Sequence, residues 1–332
     1  MCHNESFFAT DQFYASALHV LTAIEIPVHT FGAFIIVART PKKMSTVKRS
    51  MLVLHFVGAF VDLYLSFIAT PVLTLPVCAG YPLGFGLVLG IPTAVLVYSG
   101  ISFVGVMGVS ILVFFEDRYH RLANRHGSNG TRNWRRKIYI IFHYILSLVF
   151  ILPGYQTIPE QTMARIAAQQ IIPCLPADVL TRPGFFVLTI DNTIPCLCIL
   201  FLVVFVVLQI FYFVISISMV LFRTVAKSEV TNRLQRKFFV ALCLQVFVPI
   251  VVLLGPVLYV ALAIWFDYFN QAGTNIALVV MALHGVVSTA TMLFVHKPYR
   301  DAALLMLRLT SKGTVHDSVL VGRTIGAQSL VL

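Results

Sequence analysis

The sequence predicts an all-α membrane protein, a bundle of seven transmembrane helices with the N-terminus extracellular and the C-terminus cytoplasmic. Three observations predict it. First, 58% of the 332 residues are hydrophobic and only 11% are charged, against about 25% charged in an average soluble domain. Second, the apolar residues gather into seven runs, roughly 16–38, 51–73, 90–115, 138–155, 193–222, 238–263 and 274–295. A spanning helix needs about 20 such residues to cross a hydrocarbon core of about 30 Å. Third, the basic residues alternate between loops as seven crossings demand. The same composition excludes a disordered chain, and the length with only six Cys excludes a disulfide scaffold. Spanning strands are not expected, because a membrane barrel shows alternating segments of about 10 residues.

Taken in order, the elements support that topology. Segment 1–15 contains no Lys or Arg but carries Glu5 and Asp11. It is the expected extracellular N-terminus, and the first run is a retained anchor, since a cleaved signal needs a basic leader. The turn 39–50 holds five basic residues, the turn 74–89 none and the loop 116–137 seven. The loop 156–192 holds two, the loop 223–237 five, the turn 264–273 none and the tail after 295 five. Thus 22 of 24 basic residues fall on one side, which the positive-inside rule makes cytoplasmic. Topology and the anionic inner leaflet account for the net charge of +11, so no nucleic-acid partner is needed. The seven-helix domain covers 16–295. The cytoplasmic tail 296–332 opens with His296-Lys297-Pro298-Tyr299-Arg300 and an apolar stretch that reads as a short amphipathic helix on the inner leaflet.

Several residues stand out chemically. Asp62 lies mid-span, where a charge costs about 2.5–3.5 kcal/mol on insertion scales, so it must face the interior. It suits a cation site or a bridge between polar groups of helices one and seven. Glu25, with His29 close behind, is a second intramembrane acid, expected to pair with a polar residue of helix seven or with His29. The third run ends Glu116-Asp117-Arg118-Tyr119. An Arg at the bundle's inner edge can be held by a carboxylate in one state and released in another. The remaining His residues show no metal-ligand spacing, and there is no phosphate loop or catalytic triad. No enzyme activity, metal or cofactor is expected. Cys78 and Cys174 fall in outer loops and are expected to pair, with Cys2 as the alternative partner. Asn4-Glu5-Ser6 is an accessible glycosylation sequon, whereas Asn129-Gly130-Thr131 lies on the cytoplasmic side.

Seven blocks then give the chain a family resemblance. They are Ile24-Glu25-Ile26-Pro27-Val28-His29-Thr30-Phe31-Gly32, Leu54-His55-Phe56 with Asp62-Leu63, and Ala79-Gly80-Tyr81. They continue as Phe115-Glu116-Asp117-Arg118-Tyr119, Leu234-Gln235-Arg236-Lys237-Phe238-Phe239, His284-Gly285-Val286-Val287-Ser288-Thr289 and His296-Lys297-Pro298-Tyr299-Arg300. In this order and at these spans the chain resembles the nematode serpentine receptors of class H nearly end to end. The resemblance implies a chemosensory receptor for small environmental molecules in the plasma membrane of sensory-neuron cilia, coupled to a heterotrimeric G protein. It makes Asp117, Arg118 and Tyr119 the coupling switch. The chain departs from rhodopsin-like receptors in Lys297-Pro298-Tyr299, where those carry Asn-Pro-x-x-Tyr, and in lacking a Trp before Pro249 or Pro256.

The expected ligand pocket lies in the outer half, between helices three, five, six and seven. Tyr98, Asp191, Tyr259 and His284 are its candidate residues, because a pocket needs a few polar groups to orient its ligand. The competing readings are an odorant-gated channel subunit and a transporter. An odorant-gated channel of the insect type has its N-terminus inside, so glycosylation at Asn4 separates it from a receptor.

Overall fold

The structure, a computed structural model, describes residues 6–41, 45–123, 130–223 and 229–311. Among them seven helical segments are long and apolar enough to cross a membrane. The helices are α1 (Asp11–Arg39), α2 (Ser45–Leu63), α3 (Thr93–Ala123), α4 (Gly130–Val149), α5 (Thr193–Arg223) and α6 (Glu229–Trp265). The seventh, α7, runs Gln271–Ala282 and resumes as His284–Val295, and α8 (Lys297–Ser311) follows it. Helix α3 is central, packing on α2, α4 and α5; α7 packs on α6, α1 and α2. The outward faces stay apolar, with Phe201, Leu208, Phe211 and Phe247 all more than half exposed. Backbone groups satisfied within each helix are what permits such faces to meet lipid.

Helix starts follow the capping residues. Thr10 caps α1 through a hydrogen bond to its Oγ1 from the Phe13 N–H (3.2 Å). The helix therefore begins at Asp11 rather than near residue 16. Asn270 does the same for α7, accepting from the Gly273 N–H at 2.9 Å. At the other end of α1, Lys48 Nζ donates to the Val37 carbonyl (2.6 Å), meeting one of the carbonyls a helix terminus leaves open. Helix α2 widens into a π-helical segment, Tyr64–Ala69, and stops at Thr70. Pro71 follows, and a proline disfavours helix in the residue before it. The second crossing thus ends before residue 73, and its last apolar residues become a strand.

That strand opens a small sheet at one end of the bundle. Strands β1 (Pro71–Leu73), β2 (Cys78–Pro82) and β3 (Phe186–Thr189) are antiparallel in that order. Val72 faces Tyr81, and Ala79 faces Val187. A Cβ at Gly80 would collide with the Val72 carbonyl, so only glycine allows this strand approach. A helix over Gln161–Ile171 covers β3, and Gln161 brackets Val187 with two bonds, giving one from Nε2 (3.0 Å) and accepting one at Oε1 (2.9 Å). The sheet is confined to this end, which we call the sheet end. Helices α3 and α4 carry Arg121, Arg135, Arg136 and Lys137 to the other, basic end.

Two features correct the expectations from sequence. Helix α3 does not stop near residue 115 but continues to Ala123, so Glu116 to Tyr119 are helical. Cys78 is a free thiol while Cys174 is disulfide-bonded, so the expected Cys78–Cys174 bridge is not formed. The sheet register sets Cys78 opposite Thr189, with its N–H on the Asn192 side chain (3.3 Å). Leu175, next to Cys174, instead faces Ala9, Thr10 and Asp11 across a cavity. Cys2, the alternative partner, lies outside the described residues, as do both sequon asparagines, Asn4 and Asn129.

At the basic end α8 folds back on the bundle. Tyr299 is fully buried, and its hydroxyl meets Thr40 Oγ1 at 2.9 Å and Met51 Sδ at 3.9 Å. His296, in extended backbone between α7 and α8, pairs through Nε2 with Gln245 Oε1 of α6 (2.7 Å).

Candidate functional site

A polar centre lies between α1, α2 and α7. Asp62 of α2 is fully buried. Its Oδ2 lies 3.1 Å from His29 Nε2 and its Oδ1 2.7 Å from His284 Nδ1. The Gly285 N–H donates to Oδ1 as well (3.3 Å). This last bond exists because α7 breaks at Leu283, and the first turn of its second segment has free backbone donors. A carboxylate at a helix N-terminus is also favoured by the helix dipole. Gly285 is required for the approach, since a Cβ there would collide with the Asp62 carboxylate.

The partners of each ring fix their roles. His29 Nε2 and His284 Nδ1 face carboxylate oxygens and therefore donate. His29 Nδ1 then accepts from Thr289 (3.3 Å), while His55 Nε2 donates to the His29 carbonyl (2.9 Å). Space is tight here too, for a Cβ at Gly32 would stand 2.6 Å from the Thr289 methyl and 2.8 Å from the His55 ring. One turn towards the sheet end, Glu25 accepts from Ser66 (2.6 Å), which in turn accepts from Thr22 (2.9 Å). The partner of Glu25 is thus on α2, from the π-helical segment, rather than on α7 or His29. Among the described residues, no three His, Cys, Asp or Glu side chains are set to hold a metal ion.

A second charged cluster closes the basic end between α3 and α4. Arg136 Nε donates to both Glu116 oxygens (2.9 and 2.8 Å), and its Nη2 donates to Asp117 Oδ1 (2.9 Å). Arg121 holds the other Asp117 oxygen at 2.9 Å. Both acids are buried, and Arg136 is only partly exposed. The single Nε–H is shared between the two Glu116 oxygens, and charge-assisted contacts of this kind are among the stronger hydrogen bonds. Arg118 is half-buried beside them, and the Tyr119 ring packs on Phe213 of α5 (5.6 Å). The switch expected from sequence lay within one helix and left out Arg136, whose place at the start of α4 looks like any basic loop position.

The four residues expected to share a ligand pocket are not brought together. Tyr98 donates to the Leu148 carbonyl (2.6 Å). Asp191 is exposed and caps α5 through the Thr193 N–H (3.0 Å); the Thr193 hydroxyl and then its N–H hold the carboxyl below the usual range. Tyr259 donates to the Asn270 carbonyl (3.3 Å), and His284 is taken by Asp62. Each polar group is spent on a backbone or core partner.

Comparisons with known proteins agree with this arrangement. The family described as serpentine type 7TM GPCR chemoreceptor Srh matches residues 9–309. Serpentine receptor class H-72 of Caenorhabditis elegans is 25% identical over 304 residues, covering 89% of this chain and 85% of that protein. Among solved structures, squid rhodopsin shares the fold with a TM-score of 0.57 at 14% identity, over 93% of this chain and 89% of that one.

Proposed function

The chain belongs to the Srh family of serpentine seven-helix chemoreceptors, and on that premise we propose that it signals from the ciliary plasma membrane of a sensory neuron, with its sheet end outside and its basic end in the cytoplasm. It detects a small environmental molecule and activates a heterotrimeric G protein. The observation that carries this reading is the Arg136 clamp on Glu116 and Asp117. It joins two helices at the end where a cytoplasmic partner docks, and it is held by contacts that a helix displacement breaks.

A ligand shifts such an equilibrium only by binding one state better than the other. In the resting state Arg136 holds α4 to α3, and the His296–Gln245 contact holds α7 to α6. The Asp62 centre keeps α1, α2 and α7 together, and activation breaks the Arg136 and His296 contacts, so that α5 and α6 shift at their inner ends. The shift opens a cleft that admits the C-terminal helix of a G-protein α-subunit, with the basic loops 116–137 and 223–237 as its rim. Arg118, beside the clamp, contacts that helix.

The test is a chemical panel on cells expressing the chain, recording second messenger and membrane current together, with Arg118→Ala at matched surface density. A messenger response lost in the variant supports the reading. A fast current that survives both the variant and G-protein blockade contradicts it in favour of a channel. Glycosylation at Asn4 and its absence at Asn129 are expected, and the reverse would invert the orientation.

A further inference from the structure

We propose that the cavity between the N-terminal segment, the sheet and the start of α7 is the ligand site, and that it takes a small neutral molecule with an apolar body and one hydroxyl group. The inference rests on the chemosensory reading above and gives that reading a location and a ligand chemistry. The cavity measures about 260 Å³, below the roughly 300–1,000 Å³ of pockets for drug-sized ligands. Leu175, Val179 and Phe269 supply its apolar wall.

Its charged groups are already satisfied by one another. Asp11 accepts the Tyr81 hydroxyl at Oδ1 (2.7 Å) and the Arg182 guanidinium at Oδ2. Arg182 also reaches the exposed Asp178 (3.4 Å) and stands over the Tyr81 ring (5.4 Å). An ionic ligand would have to displace the Asp11–Arg182 pair and strand a charge.

The unused capacity lies elsewhere on the wall. Thr74 is 2% exposed and lines the cavity, yet among the described residues its Oγ1 has no hydrogen-bond partner. A buried hydroxyl left alone costs about 1–3 kcal/mol. Gln271 spends its amide N–H groups on the Leu73 carbonyl (3.0 Å) and Asn275 (2.9 Å), which leaves Oε1 as an acceptor. Both residues line the cavity, and one donor with one acceptor matches an alcohol, which accepts from Thr74 and donates to Gln271. A ketone answers only Thr74, and an alkane neither.

The probes are hexanol, hexane and hexylamine, presented to the purified full-length chain in micelles and followed by saturation-transfer NMR. Saturable hexanol binding is expected, weakened roughly tenfold by Thr74→Val and retained in Thr74→Ser. Val179→Trp, which fills the cavity, is expected to abolish it, with the unfolding midpoint measured alongside to show that the variant is folded. The proposal is overturned if hexanol shows no saturable binding, if Thr74→Val and Val179→Trp both bind like wild type, or if hexylamine binds more tightly and Asp178→Asn removes that preference. Messenger recording separates the two readings. Cavity binding with a membrane current that survives G-protein blockade leaves this site standing and the receptor reading fallen. A messenger response to other compounds that is indifferent to Thr74→Val does the opposite.

Discussion

Asp62 Oδ1 lies 2.7 Å from His284 Nδ1, and neither residue is more than 1% exposed. The pair joins α2 to the break in α7, and His29 extends it to α1. Removing one member of a buried charged cluster costs about 3–5 kcal/mol, because the others lose their compensation. Asp62→Ala is therefore expected to lower stability by about that much, measured by thermal unfolding in micelles. Asp62→Asn should fall between, since an amide can accept from only one of the two imidazoles. The double variant Asp62→Ala, His284→Ala should cost less than the sum of the singles. Additive losses would mean that the two side chains are not coupled.

Gly285 tests the same centre through the backbone. A methyl group there would collide with the Asp62 carboxylate, so Gly285→Ala should destabilise by about 2 kcal/mol or more, in the range of overpacked cores. Combining it with Asp62→Ala should relieve the clash and recover part of the loss. Wild-type stability in Gly285→Ala would contradict the contact.

His296 sets a pH dependence. Burial pushes its imidazole down to about 4, from an ordinary value of 6.5. The folded protein thus binds this proton less readily than the unfolded chain. Stability is full above about pH 6.5 and is lost as pH falls from there towards 4. His296→Gln should flatten that part of the unfolding midpoint against pH. An identical profile in the variant would assign the acid sensitivity to other groups.

The seven crossings were legible because each is a long apolar run, broken by a formal charge only at Glu25 and Asp62, and such runs cross lipid as helices. The sheet was not, because Pro71–Leu73 and Phe186–Thr189 are apolar like a helix end and pair only across distant sequence. The continuation of α3 past Phe115 was hidden for the opposite reason. Glu116, Asp117 and Arg121 look like loop residues, yet a helix can carry charges out of the membrane when Asp117 pairs with Arg121 and both acids pair with Arg136. His284 looked like a ligand group because it is polar and mid-span. Its carboxylate partner is on α2, and the free Gly285 N–H beside it comes from a helix break that no residue type announces. Cys78 was misread because an outer-loop position says nothing of strand register.

Whether the Arg136 clamp holds the receptor inactive is read from the basal second-messenger level of Arg136→Ala at matched surface density. A rise of roughly tenfold over wild type is expected, equivalent to about 1.4 kcal/mol of lost preference for the resting state, with a return to wild-type levels when Arg118→Ala is added. A basal level equal to that of wild type in Arg136→Ala would show that the clamp does not set the resting state.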